Sequence, residues 1–193
     1  MLFKLILATA VAATSAVAAP LEARNMTSSS PSLSYFTPSN TWQYSVNNGA
    51  ISATSSLAEI YKSTGNGGKD QTALVTFTYP AGVEGRQCQL EFHLPASANP
   101  AGSKKIDVFT SIKPAPGSRD GWGPGNQRNN HIGRLSVVAG GAATWDATYG
   151  RSLAFKTPCK KAGTVEAFEL VGVSDFDSIN WDPSSEYGPR IVY

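Results

Sequence analysis

Thr72-Ala-Leu-Val-Thr-Phe-Thr-Tyr-Pro80, followed by Ala81-Gly-Val-Glu-Gly-Arg-Gln87 and Cys88-Gln-Leu-Glu-Phe-His-Leu-Pro95, is the stretch from which the fold is read. Val75, Phe77 and Tyr79 alternate with Thr76 and Thr78, and Cys88, Leu90, Phe92 and Leu94 alternate with Gln89, Glu91 and His93. A period of two sends successive side chains to opposite faces of a pleated strand. Gly82 and Gly85 supply turn residues between the runs, and Pro80 and Pro95 close them. The stretch predicts two core strands of an antiparallel sheet, with Cys88 facing the interior.

Similar runs recur along the chain. Strands are expected near Leu33–Thr37, Thr41–Val46, Ala50–Thr54, Lys105–Ile112, His131–Val138, Leu153–Lys156, Thr164–Val173, Ser178–Trp181 and Arg190–Val192. Asn47-Asn48-Gly49 is a hairpin signal between two of them. Helical spacing is suggested only at Ser56–Tyr61. Many short strands with turn residues between them predict an all-β, single-domain antiparallel sandwich or jelly roll over residues 33–193. Lys113–Asn130 holds four glycines and three prolines, so a long irregular connection is expected there.

The amino terminus reads as an address. Met1–Lys4 is a short basic start, Leu5–Ala19 an apolar run, and Ala16-Val17-Ala18 a small-x-small site. Together they predict a secretory signal peptide over residues 1–18 and a flexible leader over 19–32. The leader carries a glycosylation acceptor at Asn25 and a candidate processing site at Arg24. Sixteen basic against fourteen acidic residues leave a formal charge of +2, and losing Lys4 lowers it to +1. That balance implies neither a nucleic-acid nor a membrane partner. The expectation is a secreted, extracellular, monomeric protein. In an oxidising compartment the two cysteines, Cys88 and Cys159, favour one disulfide, with two buried free thiols as the alternative.

Several segments resemble secreted fungal proteins carrying the But-two C-terminal domain, named after a protein that binds a ubiquitin-like activating enzyme. The resemblance rests on Phe77-Thr78-Tyr79-Pro80, Cys88-Gln89-Leu90-Glu91-Phe92, Pro158-Cys159, Phe168-Glu169-Leu170, Ile179-Asn180-Trp181-Asp182 and Gly188-Pro189. It implies a secreted β-domain with a disulfide and carries over no catalytic residues.

Candidate chemistry is sparse. His93 and His131 are the only histidines, and no Gly-x-Ser-x-Gly elbow presents a serine to either. Glu166, Glu169, Asp175, Asp177 and Asp182 offer a carboxylate pair for glycoside hydrolysis, or oxygen ligands for calcium at Asp175-Phe176-Asp177. A solvated acidic surface is the plainer reading, and no cofactor or metal is expected. Flat aromatic rings and long basic side chains suit recognition of a glycan or a protein. Trp122, Arg119, Arg128, Trp145 and Tyr149 are the candidate binding residues. Trp181, alternating with Ile179, is expected in the core, and Trp42 on either face. The expected function is a non-catalytic protein attached to the fungal wall or another glycan surface. A protein-recognition module of effector type and a glycan-cleaving hydrolase are the alternatives.

Overall fold

A computed structural model describes residues 34–54, 56–120, 127–150 and 152–193. The expected signal peptide, Asn25 and Trp122 lie outside the described residues. The regular structure is all strand: β1 (Tyr35–Phe36), β2 (Asn40–Ser45), β3 (Ile51–Ala53), β4 (Ala58–Ser63), β5 (Gln71–Thr78), β6 (Gln87–His93) and β7 (Ala101–Gly102). It continues through β8 (Lys105–Ser111), β9 (Arg128–Ser136), β10 (Thr144–Thr148), β11 (Thr157–Pro158), β12 (Val165–Gly172), β13 (Phe176–Trp181) and β14 (Gly188–Val192). All their pairings are antiparallel. A larger sheet runs β10-β9-β8-β12-β5-β4-β13-β7, with β2 on β5 and β3 on β2, and a smaller one runs β1-β14-β6-β11.

The two strands of the opening stretch are not neighbours, contrary to the expectation of a shared sheet. β5 belongs to the larger sheet and β6 to the smaller. Residues 80–86 cross between them, with Gly82 and Gly85 at φ of 86° and 79° and Val83 buried in the core. Each strand has an apolar face, and facing sheets bury both at once. Val75 and Phe77 therefore join Cys88, Leu90 and Phe92 in one core cluster. The other face of β5 is buried as well. Leu74 packs with Tyr44 and Ile51, with Ala115 against them.

Ser56–Tyr61 is not helical: β4 pairs with β13, burying Ala58 and Ile60 at period two and leaving Leu57 exposed. Leu153–Lys156 is a turn instead of a strand. The Ser152 hydroxyl accepts the Ala154 amide, the local side-chain bonding that makes serine a turn former, and its carbonyl accepts the Phe155 amide. Asn47-Asn48-Gly49 joins β2 to β3 as expected, with Gly49 at φ 74°.

β4 meets β5 through one backbone pair, Tyr61–Gln71. Beside it the Gln43 amide donates to the carbonyls of Glu59 and Thr72, at 2.7 and 2.9 Å, and accepts the Glu59 N–H at 3.0 Å. Cys88 and Cys159 form a disulfide with a Cα separation of 4.9 Å. It ties β6 to the residue following β11, inside the smaller sheet.

Candidate functional site

In a regular strand Arg128 and Arg134 would share a face and His131 would point the other way. The pairing of β8 with β9 alters this twice. Val108 lies opposite Gly133 and Phe109 opposite His131, which leaves Ile132 as an extra residue; Ser111 then lies opposite Arg128, leaving a second extra residue at Asn129–Asn130. A bulge of this kind re-aims the side chains that follow it. Two of them bring Arg128, His131 and Arg134 to the outer face, while Ile132 and Leu135 stay in the core. The Thr110 hydroxyl receives the Asn130 N–H at 3.1 Å and so satisfies a group the second bulge frees. At the first, Gly133 is needed for space: a Cβ there would lie 2.4 Å from the Ala147 carbonyl and 2.7 Å from the Trp145 ring.

Arg128 and His131 enter one column, and Arg134 lies beside it. The Arg128 guanidinium lies 4.8 Å over the Phe109 ring, Phe109 stacks on His131 at 4.6 Å and 22°, and Tyr149 lies 4.9 Å beyond at 53°. Ring faces are used up within the column, except at its Tyr149 end, where that residue is 49 % exposed. Asp107 sits beside it. It accepts both the Nε and Nη2 donors of Arg134, at 2.7 and 2.9 Å, and lies 3.2 Å from His131 Nε2. At the other end Arg128 makes a forked contact to the buried Glu169, at 2.8 and 2.6 Å, and Thr72 donates to the same carboxylate at 2.8 Å. That multiple coordination is what lets a carboxylate remain charged without water. Lys105 pairs with Asp146 at 2.6 Å, which holds the Asp146 pKa below the usual carboxylate range, with the Ser136 hydroxyl assisting. The arrangement offers forked donors, a carboxylate and one open ring.

The other expected site residues disperse. Arg119 exchanges both backbone hydrogen bonds with Ile51, at 2.8 and 2.9 Å, so it stands at β3, with β12, β5 and β2 between it and β8. Trp145 lies apart from the column. Paired with the buried Leu135, it packs against the core and its Nε1–H points to the Leu90 carbonyl at 3.3 Å. Trp181 is a core residue, edge-on to Phe92 at 5.2 Å, and Trp42 borders the Tyr44 cluster on the outer face. Arg128 and Tyr149 are thus brought together, joined by Phe109, His131 and Asp107. Ile132 and Leu135, three apart with a glycine between, are the sequence signal of the first bulge.

The late carboxylates do not converge. Glu166 and Glu169 lie three apart on β12, whose ladders run without a register shift, so they point to opposite faces. Asp177 is buried and accepts from the Ser103 hydroxyl and the amides of Lys104 and Val173, a structural clamp. Asp182 caps the turn at Ser184. Among the described residues no group of three or more His, Cys, Asp or Glu side chains is placed to hold a metal ion.

His93 lies on the smaller sheet. Arg190 Nη2 donates to its Nδ1 at 2.8 Å and reaches Glu91 at 3.3 Å, while Tyr187 lies 5.9 Å from the ring. Burial first, and then the Arg190 charge, hold the His93 pKa below its ordinary 6.5, against the smaller opposing pull of Glu91 and Glu186. The unfolded chain therefore takes up this proton first as acid is added. The stability contributed here is complete above about pH 6.5 and falls as the pH drops further. His93→Asn is expected to flatten the loss of stability between about pH 7 and pH 5 relative to the parent chain, measured by urea midpoints. Identical profiles would overturn the assignment.

Comparison with known protein families, with curated proteins and with solved structures finds no match for this chain. What defines its class is therefore its own geometry: an all-β protein of two facing sheets with one disulfide and a cation–aromatic column on its outer face. The disulfide is compatible with an extracellular protein. Among the described residues no helix is long and apolar enough to cross a membrane.

Proposed function

We propose that this is a secreted, non-catalytic β-sandwich protein that attaches to a glycan surface, such as the fungal cell wall, through the outer face of β8 and β9. The observation that carries the reading is the double bulge, which places Arg128, His131 and Arg134 on one face beside Phe109, Tyr149 and Asp107. The Tyr149 ring supplies a stacking surface, and the Asp107–Arg134 pair supplies acceptors and donors for neighbouring sugar hydroxyls. Among the described residues the cations of the face are paired: Arg128 with Glu169, Arg134 with Asp107, and Lys105 with Asp146. An uncharged polysaccharide suits such a surface better than a charged one. The signal-peptide pattern of Met1–Ala18 and the resemblance to But-two-domain proteins of fungi support secretion.

The test is a pull-down on insoluble β-glucan, chitin and mannan. Retention on at least one is expected, without product release and with little change across a salt series. Tyr149→Ala and Arg134→Ala are each expected to weaken it by about 1–2 kcal/mol, near tenfold, with the melting temperature nearly unchanged. Retention that is abolished by salt, or untouched by both substitutions, would overturn the reading.

A further inference from the structure

The facing sheets do not close at one end. β11 is only two residues long, and its ladder with β6 ends one step past Pro158, where the Cys159 N–H donates to the Arg86 carbonyl at 2.9 Å. Phe168, Thr110 and Tyr79 of the larger sheet therefore border an open mouth, with the Leu153 turn at its back. The cleft measures about 300 Å³, at the lower end of small-ligand sites. It continues on one side into a hollow of about 200 Å³, which shares Thr110, Lys160, Glu166 and Phe168. On the other it meets one of about 360 Å³, which shares Thr157 and Pro158.

Two features of its lining point to a ligand class. Ile112, Val165 and Phe155 flank the cleft as exposed large apolar side chains, at 63, 48 and 46 %. Among the described residues that line it the charges are unequal: Lys156 and Lys160 against one carboxylate, Glu166. That carboxylate is already engaged on both oxygens, by the Tyr79 hydroxyl and by Lys160 Nζ, each at 2.5 Å. Burial first, then the hydrogen bond to Glu166, hold the Tyr79 phenol protonated, so it remains a donor. An ammonium has three donors, and Lys160, half exposed, spends one on Glu166.

We infer that this mouth binds a small anionic amphiphile, an aliphatic chain with a carboxylate head. The chain lies along Leu153, Phe168 and Pro158, and the head meets Lys160 with Lys156 nearby. The site is separate from the outer face of β8–β9 and does not depend on the glycan reading.

The full chain, ¹⁵N-labelled, is titrated with monomeric sodium decanoate, with decanol and with anionic phospholipid vesicles as further arms. Saturable shifts are expected at Thr110, Leu153, Thr157 and Phe168. Decanol is expected to bind about tenfold more weakly, and Lys160→Gln to weaken decanoate by about the same factor, the range of one charge-assisted hydrogen bond. Lys160→Arg should retain most of the binding. No saturable shift with decanoate, or equal affinity for decanoate and decanol, overturns the proposal. Equal affinity of the parent chain and Lys160→Gln does the same. Association with vesicles alone would mark the patch as a membrane contact in place of a ligand site.

Discussion

Gly188→Ala is expected to cost roughly 3 kcal/mol or more, lowering the melting temperature by about 10 °C. Two costs combine. Gly188 has φ 93°, a conformation that side chains with a Cβ rarely adopt, and the added Cβ would lie 2.3 Å from both Cδ1 and Nε1 of Trp181. The indole cannot retreat, because it is buried edge-on against Phe92. Gly163→Ala isolates the first cost: its φ is 77°, but nothing lies within 4 Å of the added Cβ. It should lose only about 1 kcal/mol. Thermal and urea unfolding of the two variants side by side provides the check. Equal losses would show that the approach of the backbone to the Trp181 ring contributes nothing.

Removing the disulfide is expected to have a comparable effect. Cys88 and Cys159 are 71 residues apart, and the chain-entropy model assigns a loop of that length about 4 kcal/mol. Against the 5–15 kcal/mol that typically separates folded from unfolded chains, a loss of about that size is large. There is a local reason as well. β11 joins the smaller sheet through two residue pairs only, Thr157–Cys88 and Pro158–Gln87, so without the covalent tie little holds it. The double variant Cys88→Ala/Cys159→Ala should unfold at much lower urea, and non-reducing peptide mapping of the parent chain should recover the linked peptides. A parent protein whose melting temperature is indifferent to reductant would contradict this account.

The architecture was legible in the sequence wherever burial is one-sided. Cys88, Leu90, Phe92 and Leu94 alternate because β6 has a single face on the core, and the all-β class follows from repeating that pattern. β4 was obscured because Leu57, Ile60 and Tyr61 mimic helical spacing, although Ala58 and Ile60 are the pair that turns inward. That β5 and β6 occupy opposite sheets was not legible, since an eight-residue connection suits a hairpin or a crossing equally well. The cation–aromatic column was half legible. Arg128 and Tyr149 stand in it, whereas Trp145 packs against the core, because an aromatic residue in a short strand has no pattern to show which face it takes. His131 joins the column only through the bulge, a property of pairing between strands and not of composition. Arg119 stands apart from the column for another reason: its backbone bonds to Ile51, and no local rule foresees a loop residue completing a distant strand.

The Gln43 amide carries a wider consequence for how the molecule deforms. A peptide group offers one donor and one acceptor; the glutamine side chain offers that pair and one further donor, so here it stands in for a missing stretch of main chain between β2 and β4 while also reaching the Thr72 carbonyl. Seen this way, the larger sheet consists of two rafts. One holds β10, β9, β8, β12, β5, β2 and β3, the other β4, β13 and β7, moored by the Tyr61–Gln71 pair and by side-chain bonds: this carboxamide, Asp70 to the Ser63 amide and Asp177 to the Val173 amide. Side-chain torsions are softer than a ladder of backbone bonds, so relative bending concentrates at this mooring. The column of β8 and β9 lies within the first raft and travels with it as a unit.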